Sequence, residues 1–191
     1  GSDLLESKIT KRLESLGLVF FDTHEGENLS EVDLVVFSSA IKQDNPEILE
    51  AKKNNIKIMK RAEILAELTN LKKSILIAGS HGKTTTVSLI AEILDKAKLD
   101  PTVINGGIIN SYGSNTKLGK SDLMLVETDE SDGSFLKLPV NYSIVTNIDY
   151  EHIDFYKSFK NLEYSFTKFL EKTPPTGKSI VCIDNRNVKK L

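Results

Sequence analysis

The apolar residues of this chain fall into short runs that alternate with stretches of helical spacing. Short apolar runs predict buried β-strands, and they cover residues 18–21, 34–37, 56–59, 75–78, 123–126, 143–146 and 180–183. Apolar residues three and four positions apart predict amphipathic helices, and these cover residues 4–16, 46–55, 61–71, 84–98 and 159–170. Strands that alternate with helices in this way predict an α/β fold with parallel sheets that are covered on both faces.

Composition and charge narrow the class of protein. Lys and Arg number 25 against 27 Asp and Glu, so the net charge of −2 argues against a generally basic nucleic-acid binder. No apolar run approaches the roughly 18 residues of a membrane-spanning helix, and the first residues have no signal-peptide pattern. The single cysteine, Cys182, lies in an apolar run and is predicted to be a buried thiol. We therefore expect a cytoplasmic protein with no nucleic-acid or membrane partner.

A glycine-rich segment between the strand 75–78 and the helix 84–98 carries the strongest chemical signal. Small residues let backbone N–H groups point at phosphate oxygens, and the helix N-terminus adds partial positive charge. Lys83 is expected to reach the terminal phosphates of a nucleotide, and the Thr84 hydroxyl to coordinate Mg²⁺. The loop is a variant of the general phosphate-loop pattern, because Ile77 stands where that pattern has its first glycine.

Acidic residues follow the next strands of the predicted sheet. The segment 127–154 holds seven carboxylates and one cationic side chain. The carboxyl ends of parallel strands share one edge of a sheet, so Glu127 and His152 are expected to converge with the phosphate loop. Carboxylates repel a triphosphate unless a cation intervenes, so this acidity itself predicts Mg²⁺. Asp129, Glu130 and Glu151 fit this site and a solvated acidic surface equally well.

The three histidines differ in what their positions indicate. His24 lies in a polar stretch and is predicted to be a surface loop residue. His81 lies inside the phosphate loop and is therefore expected near the ligand. His152, taken alone, is interpreted as a hydrogen-bonded structural residue.

Several separated segments together resemble the Mur ligase family, the ATP-dependent amide-forming enzymes of peptidoglycan synthesis. Residues 79–85 match the family's phosphate-loop signature, and residues 126–132 and 146–154 are similar to its second and third motifs. Residues 38–47 and 105–107 are similar as well, and Thr128 is a minor departure because it replaces an alanine. The motifs occur in the right order over nearly the whole chain, which makes the resemblance specific.

The resemblance implies two α/β domains, both incomplete. Residues 1–70 are expected to form a Rossmann-like domain that binds a nucleotide sugar and lacks its first strand and glycine-rich loop. Residues 71–191 are expected to form a truncated phosphate-loop domain that binds ATP. The family's C-terminal domain, which helps bind the amino acid, is absent, so residues 1–191 alone are expected to form no amide.

The resemblance also implies roles for individual residues. Lys83, Glu127 and His152 are expected to be catalytic, with Lys83 on the β- and γ-phosphates. Thr84 and Glu127 are expected to hold Mg²⁺, with Glu127 bridging to a second metal at His152. The implied ATP-binding residues are Gly79, Ser80, His81, Gly82, Lys83, Thr84 and Thr85. The implied residues for the nucleotide sugar are Asp3, Ser38, Ser39 and Ala40.

The motifs fit best the family members whose substrates are UDP-N-acetylmuramate and L-alanine. In that reaction ATP phosphorylates the lactyl carboxylate, and the amine of L-alanine attacks the resulting acyl phosphate. Two alternatives stay open: another ligase of the family, recycling a muramyl tripeptide or adding a different amino acid, and a phosphate-loop kinase or NTPase. A nucleotide-sugar-binding module without catalysis is a third.

Overall fold

The computed structural model describes residues 1–191 and divides them into two compact units, Gly1–Ile64 and Leu65–Leu191. Helix α3 (Arg61–Asn70) contains the boundary between them. The sequence places the division after residue 70, at the end of that helix. None of the helices is both long enough and apolar enough to cross a bilayer.

The first unit contains a small parallel sheet of two strands. Its elements are α1 (Lys8–Ser15), a 3₁₀ turn (Gly26–Leu29), β1 (Leu34–Phe37), α2 (Pro46–Lys53) and β2 (Lys57–Lys60). Strands β1 and β2 pair in parallel. Asn45 caps α2, because its side chain accepts a hydrogen bond from the Glu47 N–H at 2.9 Å. The predicted strand at residues 18–21 forms only as an isolated parallel bridge between Phe21 and Ser2. The Phe21 N–H donates to the Gly1 carbonyl at 2.9 Å, and the Gly1 ammonium donates to the Val19 carbonyl at 2.6 Å, so the partner is the short segment 1–3.

The second unit contains a sheet of six strands in the order β5-β4-β6-β3-β7-β8. Its strands are β3 (Lys73–Ala78), β4 (Thr102–Ile109), β5 (Ser114–Lys117), β6 (Leu123–Glu127), β7 (Tyr142–Val145) and β8 (Lys178–Val181). Its helices are α4 (Lys83–Lys96), α5 (Ile153–Tyr156) and α6 (Phe159–Glu171). Every pairing is parallel except that of β4 with β5. The predicted α/β class with parallel sheets is therefore confirmed.

Helices cover both faces of this sheet. On one face Leu76 and Ala78 belong to a cluster that includes Phe166 and Phe169 of α6. On the other face Ile77 packs with residues of α4. Phe166 is fully buried, which is worth about 2–3 kcal/mol relative to an exposed side chain. The continuous apolar run of β3 follows from this burial on both sides.

The hairpin formed by β4 and β5 was not predicted from the sequence. Two glycines interrupt β4 at positions 106 and 107, and β5 has no apolar residue. The hairpin is tied to α4, since Asp95 accepts hydrogen bonds from the Tyr112 hydroxyl and, at 2.5 Å, from the Lys117 ammonium.

The expectation of a buried thiol at Cys182 is wrong. The residue is exposed. It lies just after β8, which is the edge strand of the sheet, so its side chain is not enclosed from both sides.

Candidate active site

The loop that joins β3 to α4 approaches the chain after β7 very closely. Gly79 has a φ of +140°, and a Cβ there would lie 2.1 Å from the Thr146 hydroxyl oxygen. Only glycine fits this position, because the backbone conformation is rare for other residues and the space is filled. Helix α4 begins directly after Gly82, and no side chain caps its first turn. The loop therefore presents a helix N-terminus of the kind that binds phosphate.

Asn147, which follows strand β7, forms hydrogen bonds with this loop. Its Oδ1 accepts a hydrogen bond from the His81 N–H at 2.7 Å, and its Nδ2 donates to the His81 carbonyl at 2.9 Å. The Thr146 hydroxyl donates to the same carbonyl at 2.8 Å, and the Asp149 N–H donates to the Ser80 hydroxyl at 2.9 Å. The Ser80 N–H also donates to the Asn147 carbonyl at 3.1 Å, so the segment after β7 fixes the loop conformation through several hydrogen bonds.

Lys83 folds back across its own loop. Its ammonium donates to the Gly79 carbonyl at 2.6 Å and to Glu130 Oε1 at 2.8 Å. The Lys83 side chain is 15% exposed and that of Glu130 is 3% exposed. The cation therefore lies at the loop, where a phosphate would meet it.

Thr84 and Glu127 meet as the sequence leads us to expect. The Thr84 hydroxyl lies 3.0 and 2.9 Å from the two carboxylate oxygens of Glu127. Strands β3 and β6 are parallel neighbours, so the start of α4 and the end of β6 share one edge of the sheet. The Gly106 N–H donates to Glu127 Oε2 at 2.7 Å, which fixes this carboxylate from the other side.

His152 lies at the same edge, after β7, but its carboxylate partners differ from the expected one. Its Nε2 is 3.6 Å from Glu130 Oε1. One ligand atom from each of Glu130, Glu151 and His152 lies within 4.8 Å of the other two. The structure thus pairs Glu127 with Thr84 and groups His152 with Glu130 and Glu151, so the expected bridging position of Glu127 is not what the contacts show.

Glu130 is the site residue that the sequence resolved least well. It is 2% exposed, and its Oε2 is buried without a hydrogen-bond partner. Burial raises the pKa of its carboxyl group, and the hydrogen bond from Lys83 opposes that rise. The Tyr156 hydroxyl donates to its carbonyl oxygen, and burial raises the pKa of that tyrosine as well. The solvated-surface interpretation of Glu130 is therefore wrong.

The sequence carries no signal that separates Glu130 from its polar neighbours. In the structure Thr128 and Glu130 are buried and Asp129 between them is exposed. Thr128 is anchored by its hydroxyl, which donates to the Ile77 carbonyl at 2.9 Å.

The other predicted loop residues lie at the mouth of the loop. The His81 side chain is 58% exposed, and its Nε2 lies 3.3 Å from Asp149 Oδ2 and 3.7 Å from Glu151 Oε1. Thr85 lies exposed in the first turn of α4. His81 therefore lies beside two carboxylates at the open side of the loop.

The predicted sugar-binding residues lie in the first unit. Asp3 is exposed, and its Oδ1 accepts a hydrogen bond from the Leu5 N–H at 3.2 Å. Ser38, Ser39 and Ala40 follow the carboxyl end of β1, and Ser39 and Ala40 are exposed. No hydrogen bond or ion pair joins Asp3 to them, and the assignment of these four residues to the nucleotide sugar stays a prediction.

The surface position predicted for His24 is wrong. Its side chain is 16% exposed, and its Nδ1 lies 3.0 Å from Glu47 Oε2 and 3.2 Å from the Ser2 hydroxyl. Asn28 also donates to Glu47, at 3.0 Å. The polar stretch around His24 therefore folds inward to satisfy the carboxylate near the start of α2.

The donor atoms of the second unit fit a hard divalent cation. Mg²⁺ prefers oxygen ligands, and Thr84 and Glu127 present a hydroxyl and a carboxylate at one place. The orphaned, buried Oε2 of Glu130 is a second such donor, next to Glu151 and His152. Fold and loop together define a phosphate-loop α/β protein.

Comparison with known families agrees with that class and narrows it. Residues 77–191 match the Mur ligase middle domain, and residues 1–73 match the Mur ligase family catalytic domain. The chain therefore belongs to the Mur ligase family.

The similar proteins share one name. The chain is 53% identical to UDP-N-acetylmuramate–L-alanine ligase of Parvibaculum lavamentivorans, over all of this chain and 39% of that protein. It is 52% identical to the ligase of the same name from Pelagibacter ubique, over all of this chain and 41% of that protein. It thus spans about two fifths of the length of these relatives.

A solved structure shows the same fold. UDP-N-acetylmuramate-alanine ligase from Thermotoga maritima superposes with a TM-score of 0.90 at 29% identity. The match covers all of this chain and 44% of that one.

Proposed function

We propose that the protein, in its full natural length, is an ATP-dependent ligase that joins L-alanine to UDP-N-acetylmuramate in peptidoglycan synthesis. The observation that carries this proposal is the 53% identity, over the whole chain, to a ligase with that name. The Mur ligase match alone supports an amide ligase, and the identity of these relatives supports the choice of the two substrates.

Residues 79–85 bind the phosphates of ATP in this proposal. Backbone N–H groups at the start of α4 point at phosphate oxygens, and the Lys83 ammonium neutralises the β- and γ-phosphates. Lys83 already lies at the loop, 2.6 Å from the Gly79 carbonyl. Such fixed donors stabilise the charge that develops on the transferring phosphoryl group without having to reorganise during the reaction.

Two groups of donors hold the divalent cations. The Thr84 hydroxyl and the Glu127 carboxylate would hold Mg²⁺, and Glu130, Glu151 and His152 form the second group. Bound Mg²⁺ supplies positive charge that offsets the phosphate oxygens. The contribution of this chain is to fix the ligands, and the Gly106 N–H does so for Glu127.

The reaction has two steps. A carboxylate oxygen of UDP-N-acetylmuramate attacks the γ-phosphorus of ATP, and the bond to the β-phosphate oxygen breaks to give an acyl phosphate and ADP. The amine of L-alanine then attacks the acyl carbon, loses a proton and displaces phosphate. Both steps depend on holding the reactants together, which is the main advantage a protein gives them. Asp3, Ser38, Ser39 and Ala40 remain our candidates for contacts with the nucleotide sugar.

Product analysis with the full-length protein tests this function. ATP, Mg²⁺, UDP-N-acetylmuramate and L-alanine are expected to give one amide product and one ADP per turnover, measured by mass spectrometry and a coupled assay. L-Alanine is replaced in parallel reactions by other amino acids and by a tripeptide. A stable phosphorylated sugar without an amide would identify a kinase, and faster reaction with the tripeptide would identify a recycling ligase.

A further inference from the structure

Glu130 contacts Lys83 of the phosphate loop and can therefore affect which ligands the loop binds. Its side chain is 3% exposed, so its charge is held away from water. Its Oε1 accepts a hydrogen bond from Lys83, and its Oε2 has no partner. A buried carboxylate with one free oxygen is costly unless a cation lies next to it.

Glu130 accepts a hydrogen bond from Lys83, which is the cation expected to bind the phosphates. An ammonium group has three donors, and Lys83 directs them at the Gly79 carbonyl, at Glu130 and, at 3.5 Å, at the Ser80 carbonyl. A phosphate that binds Lys83 must therefore compete with Glu130 for it, or share it.

The charged groups around Glu130 are few. Besides Lys83, the basic group near its carboxylate is His152, 3.6 Å away, and Glu151 lies in the same group. Charges in a partly buried site interact several times more strongly than in water. A metal-free nucleotide brings its full negative charge to this carboxylate, whereas a nucleotide complexed with a divalent cation brings less.

We propose that Glu130 makes the loop selective for metal-complexed nucleotide, by holding Lys83 and by repelling the charge of metal-free nucleotide. In this proposal Glu130 acts on nucleotide binding through Lys83, in addition to its place among the candidate cation donors. This inference rests on the proposed function, because it takes ATP as the ligand of the loop.

Nucleotide affinity with and without metal tests the inference. The full-length protein is titrated with ADP by calorimetry, once with Mg²⁺ and once with EDTA. Glu130→Gln removes the charge and keeps the size of the side chain. It is expected to bind metal-free ADP about tenfold more tightly than wild type does, a factor typical of one unit charge removed near a partly buried site. With Mg²⁺ present no gain is expected, because the same substitution weakens the group of cation donors that Glu130 forms with Glu151 and His152.

Asp132→Asn is the matched control. It removes one charge from the same segment, and Asp132 is exposed and bonds to the Ser134 N–H rather than to Lys83. Its affinities for both forms of ADP are expected to stay within about twofold of wild type, because an exposed charge is screened.

Three results would overturn the inference. Equal or weaker binding of metal-free ADP by Glu130→Gln, with wild-type binding intact, refutes it and leaves the proposed function standing. The same gain in Asp132→Asn would show a general charge effect. Failure of wild type to bind either form would refute the proposed function as well. If Glu130→Gln does not fold, Glu130→Ala, which removes the charge together with the unpartnered Oε2, is measured with the same expectation.

Discussion

The hydroxyl of Thr84 lies within 3.0 Å of both carboxylate oxygens of Glu127, although 43 residues separate them in sequence. The contact arises because β3 and β6 are parallel neighbours, so that the residue starting α4 and the last residue of β6 reach the same edge. Without the sheet neither residue would mark a cation site. Together they form the oxygen pair on which the proposed Mg²⁺ position depends.

Glu127→Gln is expected to lower kcat by roughly 100-fold or more, because an amide oxygen carries no charge to hold the cation. The thermal midpoint is expected to change little, since Gln can still accept from the Gly106 N–H. Rates are measured over a range of Mg²⁺ concentrations. Thr84→Ser keeps the hydroxyl and is expected to retain most activity, whereas an equally inactive Thr84→Ser would contradict a role for the hydroxyl.

Lys83→Ala is expected to abolish ATP turnover and leave the fold largely intact. The substitution removes the cation that meets the phosphates. It also leaves the buried carboxylate of Glu130 without its partner, which costs about 3–5 kcal/mol. That cost is below the usual free energy of unfolding of a domain. ADP release measures the loss of turnover, and thermal unfolding measures whether the fold is intact. Near-normal turnover would refute the assignment of the phosphate loop.

Gly106→Ala is expected to lower kcat by roughly tenfold to a hundredfold. A Cβ at this position would lie 2.9 Å from Glu127 Oε2, so the carboxylate must shift, and small misplacements of catalytic groups are costly. The Mg²⁺ concentration that gives half-maximal rate is expected to rise. Ile108→Ala, at an exposed position of the same strand, serves as the control and should leave both values unchanged.

Tyr112→Phe is expected to lower the free energy of unfolding by about 1 kcal/mol at neutral pH, through loss of the hydrogen bond to Asp95. Burial, and then that hydrogen bond, raise the pKa of Tyr112 to about 12. The unfolded chain loses this proton near pH 10, before the folded protein does, so stability falls as the pH rises from about 10 to about 12.

Denaturant unfolding of wild type and Tyr112→Phe across that pH range isolates this contribution. The wild type is expected to lose more stability than the variant, because lysine titration is common to both proteins. Parallel losses in the two proteins would show that Tyr112 does not titrate differently on folding.

The sheet and its helices could be predicted because the spacing of their apolar residues agrees with the capping residues at their ends. Helix α6 begins at Phe159, as expected, and the Ser158 hydroxyl accepts a hydrogen bond from the Asn161 N–H at 3.2 Å. Strand β3 was visible because both of its faces are buried. The convergence of the phosphate loop with Glu127 followed from strand order alone.

Other features depend on contacts that a local pattern does not contain. Glu130 is a carboxylate in a buried position, against the general preference of acidic residues for the surface. Strand β4 holds Gly106 where a loop is the usual interpretation, and its course is set by pairing with β6. Residues 18–21 have the composition of a strand, and they pair only with the short segment 1–3, through one isolated bridge.

The hydrogen bonds between Asn147 and the phosphate loop also determine at what stage of synthesis the protein can first bind nucleotide. His81 and Asn147 are 66 residues apart, so the ribosome must synthesise β6 and β7 before the loop can take its final form. A nascent chain that ends before Asn147 carries the complete phosphate-loop signature but lacks the side chain that shapes it. Contacts over such sequence distances form slowly, so competence for nucleotide is a late event in folding, and it is lost whenever β7 detaches.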